Sequence, residues 1–220
     1  MPRGPMMTGE FVHDLDKKGF GIIRTRPTER AMSQTAKTLG DRLRMARAEV
    51  DGTGWLASSD LLRIDQLERP ETPVYVGLGC LAPPRGGGAL ALYDGRLAGR
   101  SLISRHGALR GTRLTVAAGP TRSPRSKHSL MSFDQRHGTV LRYRSPLDGD
   151  VVDGPLPDDM DETRFHEVVG SAVREERVLV HNWNPGDFLV IDNRAMLHAF
   201  CPSTGGRGEF VGVRFSFRGM

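Results

Sequence analysis

The sequence predicts a mostly β protein with flanking helices: two sheets packed as a sandwich or jelly roll. Three observations carry this. Apolar runs of strand length recur along the chain, Gly/Pro turns separate them, and the few helical segments do not alternate with strands as a parallel sheet requires. At 220 residues the chain is long enough for one sizeable core, so residues 1–220 are read as a single domain.

Residues 19–25 (GFGIIRT) form the first apolar run of strand type. Thr28 is placed to cap a helix whose apolar face is Ala31, Met32, Ala36 and Leu39, with Gly40 as its stop. Residues 74–81 (VYVGLGCL) read as a buried strand with interleaved glycines, and residues 83–88 as a loop. A strand over 89–93 follows, then a helix opened by Asp94-Gly95 and running toward Arg105. Residues 119–128 (GPTRSPRSKH) are the most loop-like stretch, and a lid or loop is expected at about 119–138. Residues 139–143 alternate as a strand. A helix over about 162–176 presents Phe165, Val168, Val169, Ala172 and Val173 on one face. Strands are expected over 177–181, 188–191 and 211–217.

Composition narrows the function classes. A charged fraction of 26% and a hydrophobic fraction of 38% are those of a soluble globular chain. No apolar run approaches the roughly 18 residues that span a membrane, and residues 1–11 carry no signal-peptide h-region. Cys80 and Cys201 make neither a disulfide framework nor a metal-site spacing. The expected location is cytoplasmic. The net charge is +5, and only Lys17, Lys18, Lys37 and Lys127 are lysines. Scattered arginines suit anionic small molecules, which the guanidinium fork binds bidentately. Zinc-finger spacing, an RNP-type aromatic motif and a basic helix are all missing, which argues against nucleic acid. A homo-oligomer stays open.

The most specific stretch is residues 183–217. A Pro-Gly-Asp turn leads through an apolar run to Asp192-Asn193-Arg194, His198 follows, and Arg214 lies on the next apolar run. This order resembles the taurine dioxygenase and clavaminate synthase-like superfamily of iron(II)/2-oxoglutarate oxygenases. Residues 19–40 and 74–95 (strand, Gly-Gly loop, strand ending in Asp) are similar to the same family. The resemblance implies a double-stranded β-helix, a jelly roll whose mouth holds the metal. It also implies Fe(II) and 2-oxoglutarate as cofactors and a small-molecule substrate.

Iron(II) in such a family needs two His and one carboxylate, with open positions for cosubstrate and oxygen. An HxD pair supplies two ligands from one face of a strand, because i and i+2 point the same way. By the resemblance, His198 is the distal ligand and Arg214 clamps the far carboxylate of 2-oxoglutarate, with Arg207 and Arg218 as fallback clamps. The HxD position falls on Arg63-Ile64-Asp65, and no His-x-Asp or His-x-Glu occurs anywhere in the chain. Asp65 is a carboxylate ligand candidate. Arg63 stays protonated and has no lone pair to give. Ser58-Ser59-Asp60 is the alternative register, and a serine is no better. Where the family has an acidic residue and a Thr that contacts 2-oxoglutarate, this chain has Ala89 and Leu90.

The metal set is therefore incomplete, with His198 and Asp65 alone. His13, His106, His128, His137 and His166 are expected at the surface, and His181, just before the turn, is placed to approach the mouth. Asp192 and Arg194 are expected to pair and hold the turn, and Trp183 and Trp55 to pack. Three function classes follow. The first is an oxygenase that hydroxylates, desaturates or cyclises a small molecule. The second is a metal-independent enzyme in which His198, beside Arg63 and Asp65, does acid/base work on an anionic substrate. The third is a non-catalytic relative.

Overall fold

Four helices and thirteen strands make up the described part of the computed structural model, which covers residues 9–56, 72–117, 125–146, 150–154, 156–203 and 208–217. In chain order these are α1 (Gly9–Lys18), β1 (Phe20–Arg24), α2 (Glu29–Arg42), β2 (Arg47–Leu56), β3 (Tyr75–Ala82), β4 (Gly87–Asp94) and α3 (Gly95–Arg105). After a 3-10 turn come β5 (Arg113–Ala117), β6 (Arg125–Ser129), β7 (Met131–Asp134), β8 (Gly138–Leu141) and β9 (Val151–Asp153). The chain closes with α4 (Glu162–Glu175), β10 (Arg177–Asn182), β11 (Asp187–Asp192), β12 (Met196–Ser203) and β13 (Gly208–Ser216).

The sequence signals explain the helix starts. Thr28 Oγ1 accepts from the Ala31 amide, Asp94 from those of Arg96 and Leu97, and Asp161 from that of Arg164. Gly40 does not stop α2, which continues to Arg42. A Cβ there would lie 3.2 Å from the Ala48 Cβ, so the glycine serves helix-to-strand approach. Part of the expected lid is regular structure: residues 125–129 and 131–134 are strands, and β7 pairs with β8 as a hairpin.

A five-stranded sheet of order β1-β11-β3-β13-β2 faces a three-stranded sheet of order β10-β4-β12, and every pairing in both is antiparallel. This is the expected jelly roll. Side-chain alternation sorts its residues into layers. Leu189 and Ile191 of β11 point inward against Leu90 and Leu92 of β4. Phe188 and Val190 point outward and pack under α1 and α2, against Leu15, Met32 and Leu39. On the other side, Ala91, Tyr93, Leu197 and Ala199 pack under α3 and α4, against Leu102, Phe165 and Val169. The site therefore sits between two sheets that are each backed by helices.

Candidate functional site between the two sheets

Met196 and Phe200 of β12 lie in the inner core and Leu197 and Ala199 in the outer one, so alternation turns His198 inward. It is 1% exposed, pairs across the sheet with Leu92, and meets the Phe200 ring edge-on at 6.4 Å. The same argument applies to β13. Phe210 is inner while Val211, Val213 and Phe215 are outer, which leaves Arg214 on the inner face. Arg214 is flanked by Glu49 of β2 and Val76 of β3, and its Nη2 is 4.0 Å from Glu49 Oε2. Tyr75 is in register with both Asp192 and Phe215, so the Asp192 turn and Arg214 share one end of the sandwich. His198 lies six residues after Asp192, on the opposite sheet.

The Asp192-Asn193-Arg194 turn is a polar knot. Asp192 accepts from the Arg194 amide at 3.1 Å and from its Nε at 3.2 Å and Nη2 at 3.1 Å. Asn193 Nδ2 donates to the Pro73 carbonyl at 3.1 Å. His137 Nε2 completes the set at 2.8 Å from Asp192 Oδ2. Burial alone would raise the Asp192 pKa, but His137 and Arg194 outweigh it and hold the carboxyl below its ordinary range. Arg194 also lies 3.6 Å from Asp134 and over the Tyr75 ring. The expectation that Asp192 and Arg194 pair and hold the turn describes this arrangement. The expectation that His137 is a surface residue does not: its side chain is 3% exposed. Its burial comes from a contact 55 residues away, which local sequence cannot show.

His181 does not approach the mouth. It is in register with Leu90, one inward position beyond Leu92 and toward the opposite end of β4 from Asp94. There it packs against Trp183 at 4.6 Å and lies 3.2 Å from Asp187 of the Pro-Gly-Asp turn. Trp183 packs edge-on against Phe210, as expected of a packing residue. Leu90, in the place the family gives to a Thr, is fully buried in the inner core.

Arg63, Asp65 and Arg207 lie outside the described residues, as do the alternative register at Ser58–Asp60 and the fallback Arg218. Among the described residues no group of three His, Cys, Asp or Glu side chains could hold a metal ion. His198 is the inward imidazole at the Arg214 end, and the sequence offers Asp65 but no second imidazole at the HxD position. A guanidinium cannot complete an iron triad. The described residues alone do not make up a facial site, and a packed Leu90 has no side-chain group that hydrogen-bonds a cosubstrate.

A family model described as "Taurine catabolism dioxygenase TauD, TfdA family" matches residues 10–214. No curated protein matches in sequence. Among solved structures, PvcB from Pseudomonas aeruginosa superposes with a TM-score of 0.69 at 14% identity, over 96% of this chain and 80% of that one. A second PvcB structure, described as an Fe, alpha-ketoglutarate dependent oxygenase from an isonitrile synthetic pathway, gives a TM-score of 0.67 at 14% identity, over 96% and 80%. AAD-2, solved with Mn(II) and N-oxalylglycine, gives 0.72 at 14% identity, over 98% and 91%. At that identity these likenesses speak for the jelly-roll fold.

Proposed function

The chain belongs to the taurine catabolism dioxygenase TauD, TfdA family, which places it among small-molecule-modifying dioxygenases, and we propose that it acts on a small anionic molecule held in the mouth of the jelly roll. One observation carries this reading: His198 and Arg214 occupy inward positions on facing sheets at the same end of the sandwich. Arg214 is the anion clamp, because a guanidinium fork matches a carboxylate in two parallel hydrogen bonds. His198 is the group at the reacting centre, where an imidazole binds a metal or moves a proton near neutral pH. Leu92 and Phe200 wall that centre with apolar surface and keep water from it.

The family's cofactors are iron(II) and 2-oxoglutarate. By the resemblance, Arg63 stands where the family has a His ligand and Leu90 where it has a Thr. Those two departures favour a second reading: metal-independent acid/base chemistry by His198 on a bound anion, with Arg63 and Asp65 near it.

Anaerobic loading with iron(II), then 2-oxoglutarate and oxygen, separates the two. Stoichiometric iron and conversion of 2-oxoglutarate to succinate select the oxygenase. Substoichiometric iron, with carboxylate binding that Arg214→Ala abolishes, selects the acid/base enzyme. Carboxylate binding that survives Arg214→Ala and His198→Ala overturns the proposal for this pocket.

A further inference from the structure

Outside the three-stranded sheet, away from the inner face that carries His198, α4 and the segment after β8 enclose an open groove of about 520 Å³. Its walls include Tyr143, Ser145, Glu162, Thr163, His166 and Arg174. Tyr143 is 2% exposed and belongs to the outer core. Its hydroxyl lies 3.1 Å from His166 Nδ1.

The protons in this pair can be placed. Burial raises the Tyr143 pKa well above its ordinary value, so the hydroxyl keeps its proton and can donate it to Nδ1. Burial is also the largest influence on His166 and lowers its pKa, with Glu162 opposing, so the imidazole is neutral at pH 7. Donation from Tyr143 into Nδ1 leaves the ring proton on Nε2. That nitrogen is buried and has no hydrogen-bond partner among the described residues. The Glu162 Oε1 atom is 3.9 Å from it, beyond hydrogen-bond reach.

A donor that faces a carboxylate across such a gap calls for one kind of group. An oxygen about 2.8 Å from each atom can accept from Nε2–H and donate its own hydrogen to Glu162. A hydroxyl does both. An ammonium cannot accept from Nε2–H, and a carboxylate has no proton to donate and would face Glu162. Ser145, Thr163, Glu167 and Arg174 also line the groove. Mixed donors and acceptors around an open groove suit a molecule with several hydroxyls. We propose that this groove binds an uncharged polyhydroxy compound, a sugar or a glycosyl group, with one hydroxyl bridging His166 and Glu162.

Saturation-transfer NMR on the full chain tests this with glucose, xylose and inositol as probes, and with methylammonium and tetramethylammonium as charged controls that the Arg214 pocket does not attract. The sugars are expected to receive saturation at millimolar concentration and the controls not. Glu162→Ala removes the acceptor on an exposed side chain, and is expected to weaken the signal about tenfold, which is about 1.4 kcal/mol. His198→Ala, on the other side of the sheet, is expected to leave it unchanged. Lack of transfer to every sugar overturns the proposal and leaves the groove to water. So does transfer that persists in both Glu162→Ala and His166→Phe, or stronger transfer to either ammonium control.

Discussion

His137 Nε2 and Asp192 Oδ2 lie 2.8 Å apart, with side chains 3% and 0% exposed. The contact ties the β7–β8 hairpin to the turn that delivers β12 and His198. Neighbouring links act in the same place: Arg136 Nη1 donates to Tyr75 Oη at 2.8 Å, Arg136 pairs with Asp16, and Arg194 lies near Asp134. The site's geometry therefore depends on a hairpin that holds no inward site residue.

Removing one member of a buried pair leaves the other's charge less compensated, at a cost of about 3–5 kcal/mol. Arg194 still reaches Asp192, so His137→Ala is expected to fall below that range, at about 2–3 kcal/mol. Urea unfolding measures it, and a change under about 0.5 kcal/mol would show the contact to be idle. Asp192 adds an acid dependence. Its folded pKa is depressed, so its contribution is present above the unfolded carboxylate value near 3.8 and is lost as pH falls through the folded value. Asp192→Asn is expected to flatten the stability curve below about pH 4.

His181 gives a separate pH window. Burial lowers its pKa, with Asp187 opposing through charge and hydrogen bonding. Below the ordinary imidazole value of 6.5 the unfolded chain takes up a proton that the folded chain does not. Stability is thus unaffected by this group above that pH and falls as pH drops from it toward the lower folded pKa. His181→Gln, neutral in both states, is expected to lose stability less steeply with acid below about pH 6.5. His166 is shifted the same way and keeps its share of the slope. Thermal melts at half-unit pH steps read the difference. Parallel curves for the variant and the parent chain would remove His181 as a cause.

The Pro-Gly-Asp turn tolerates no side chain at Gly186. The Asp187 amide donates to the Asn184 carbonyl at 3.1 Å, with Pro185 and Gly186 as the central pair, and Gly186 has φ +91°. A Cβ there would lie 2.2 Å from the Thr25 carbonyl oxygen, a backbone atom that cannot swing aside. Backbone strain and overpacking add, so Gly186→Ala is expected to cost about 3 kcal/mol or more. A melting temperature within a few degrees of the parent's would show that the turn can rearrange.

The parts of the fold that sequence revealed are those specified locally. The caps at Thr28, Asp94 and Asp161, the Pro-Gly turn and the fully buried run of β11 each announce themselves within a few residues. Helix α1 was not expected: it buries only Phe11 and Leu15, too few to set a period. Strand β2, with two glycines and few apolar positions, also went unread, and β13 supplies its ladder. Strand β6 was taken for loop because its residues are polar, and pairing with β5 makes it a strand. His198 and Arg214, singled out by the motif, both lie on inward strand faces. The burial of His137 and the groove beside His166 were not legible in the sequence, since both depend on segments brought together only by the fold.

The sharpest test of what this pocket has become is a single substitution at the HxD position. By the resemblance Arg63-Ile64-Asp65 stands at that position, where Arg63 cannot ligate and a histidine would supply the third donor of a two-His, one-carboxylate set. Arg63→His also removes a fixed cation that opposes a divalent metal, and this acts in the same direction. Iron bound after anaerobic loading is therefore expected to rise from substoichiometric toward one per chain. Elemental analysis reads it, and the double variant with His198→Ala is expected to lose the gain. Equal iron in Arg63→His and the parent chain would mean that position 63 does not face His198, and the register placing Asp65 in the pocket would fall with it. Iron gained without succinate formation would separate the two losses, because Leu90 would still deny the cosubstrate the hydroxyl contact made by the family's Thr.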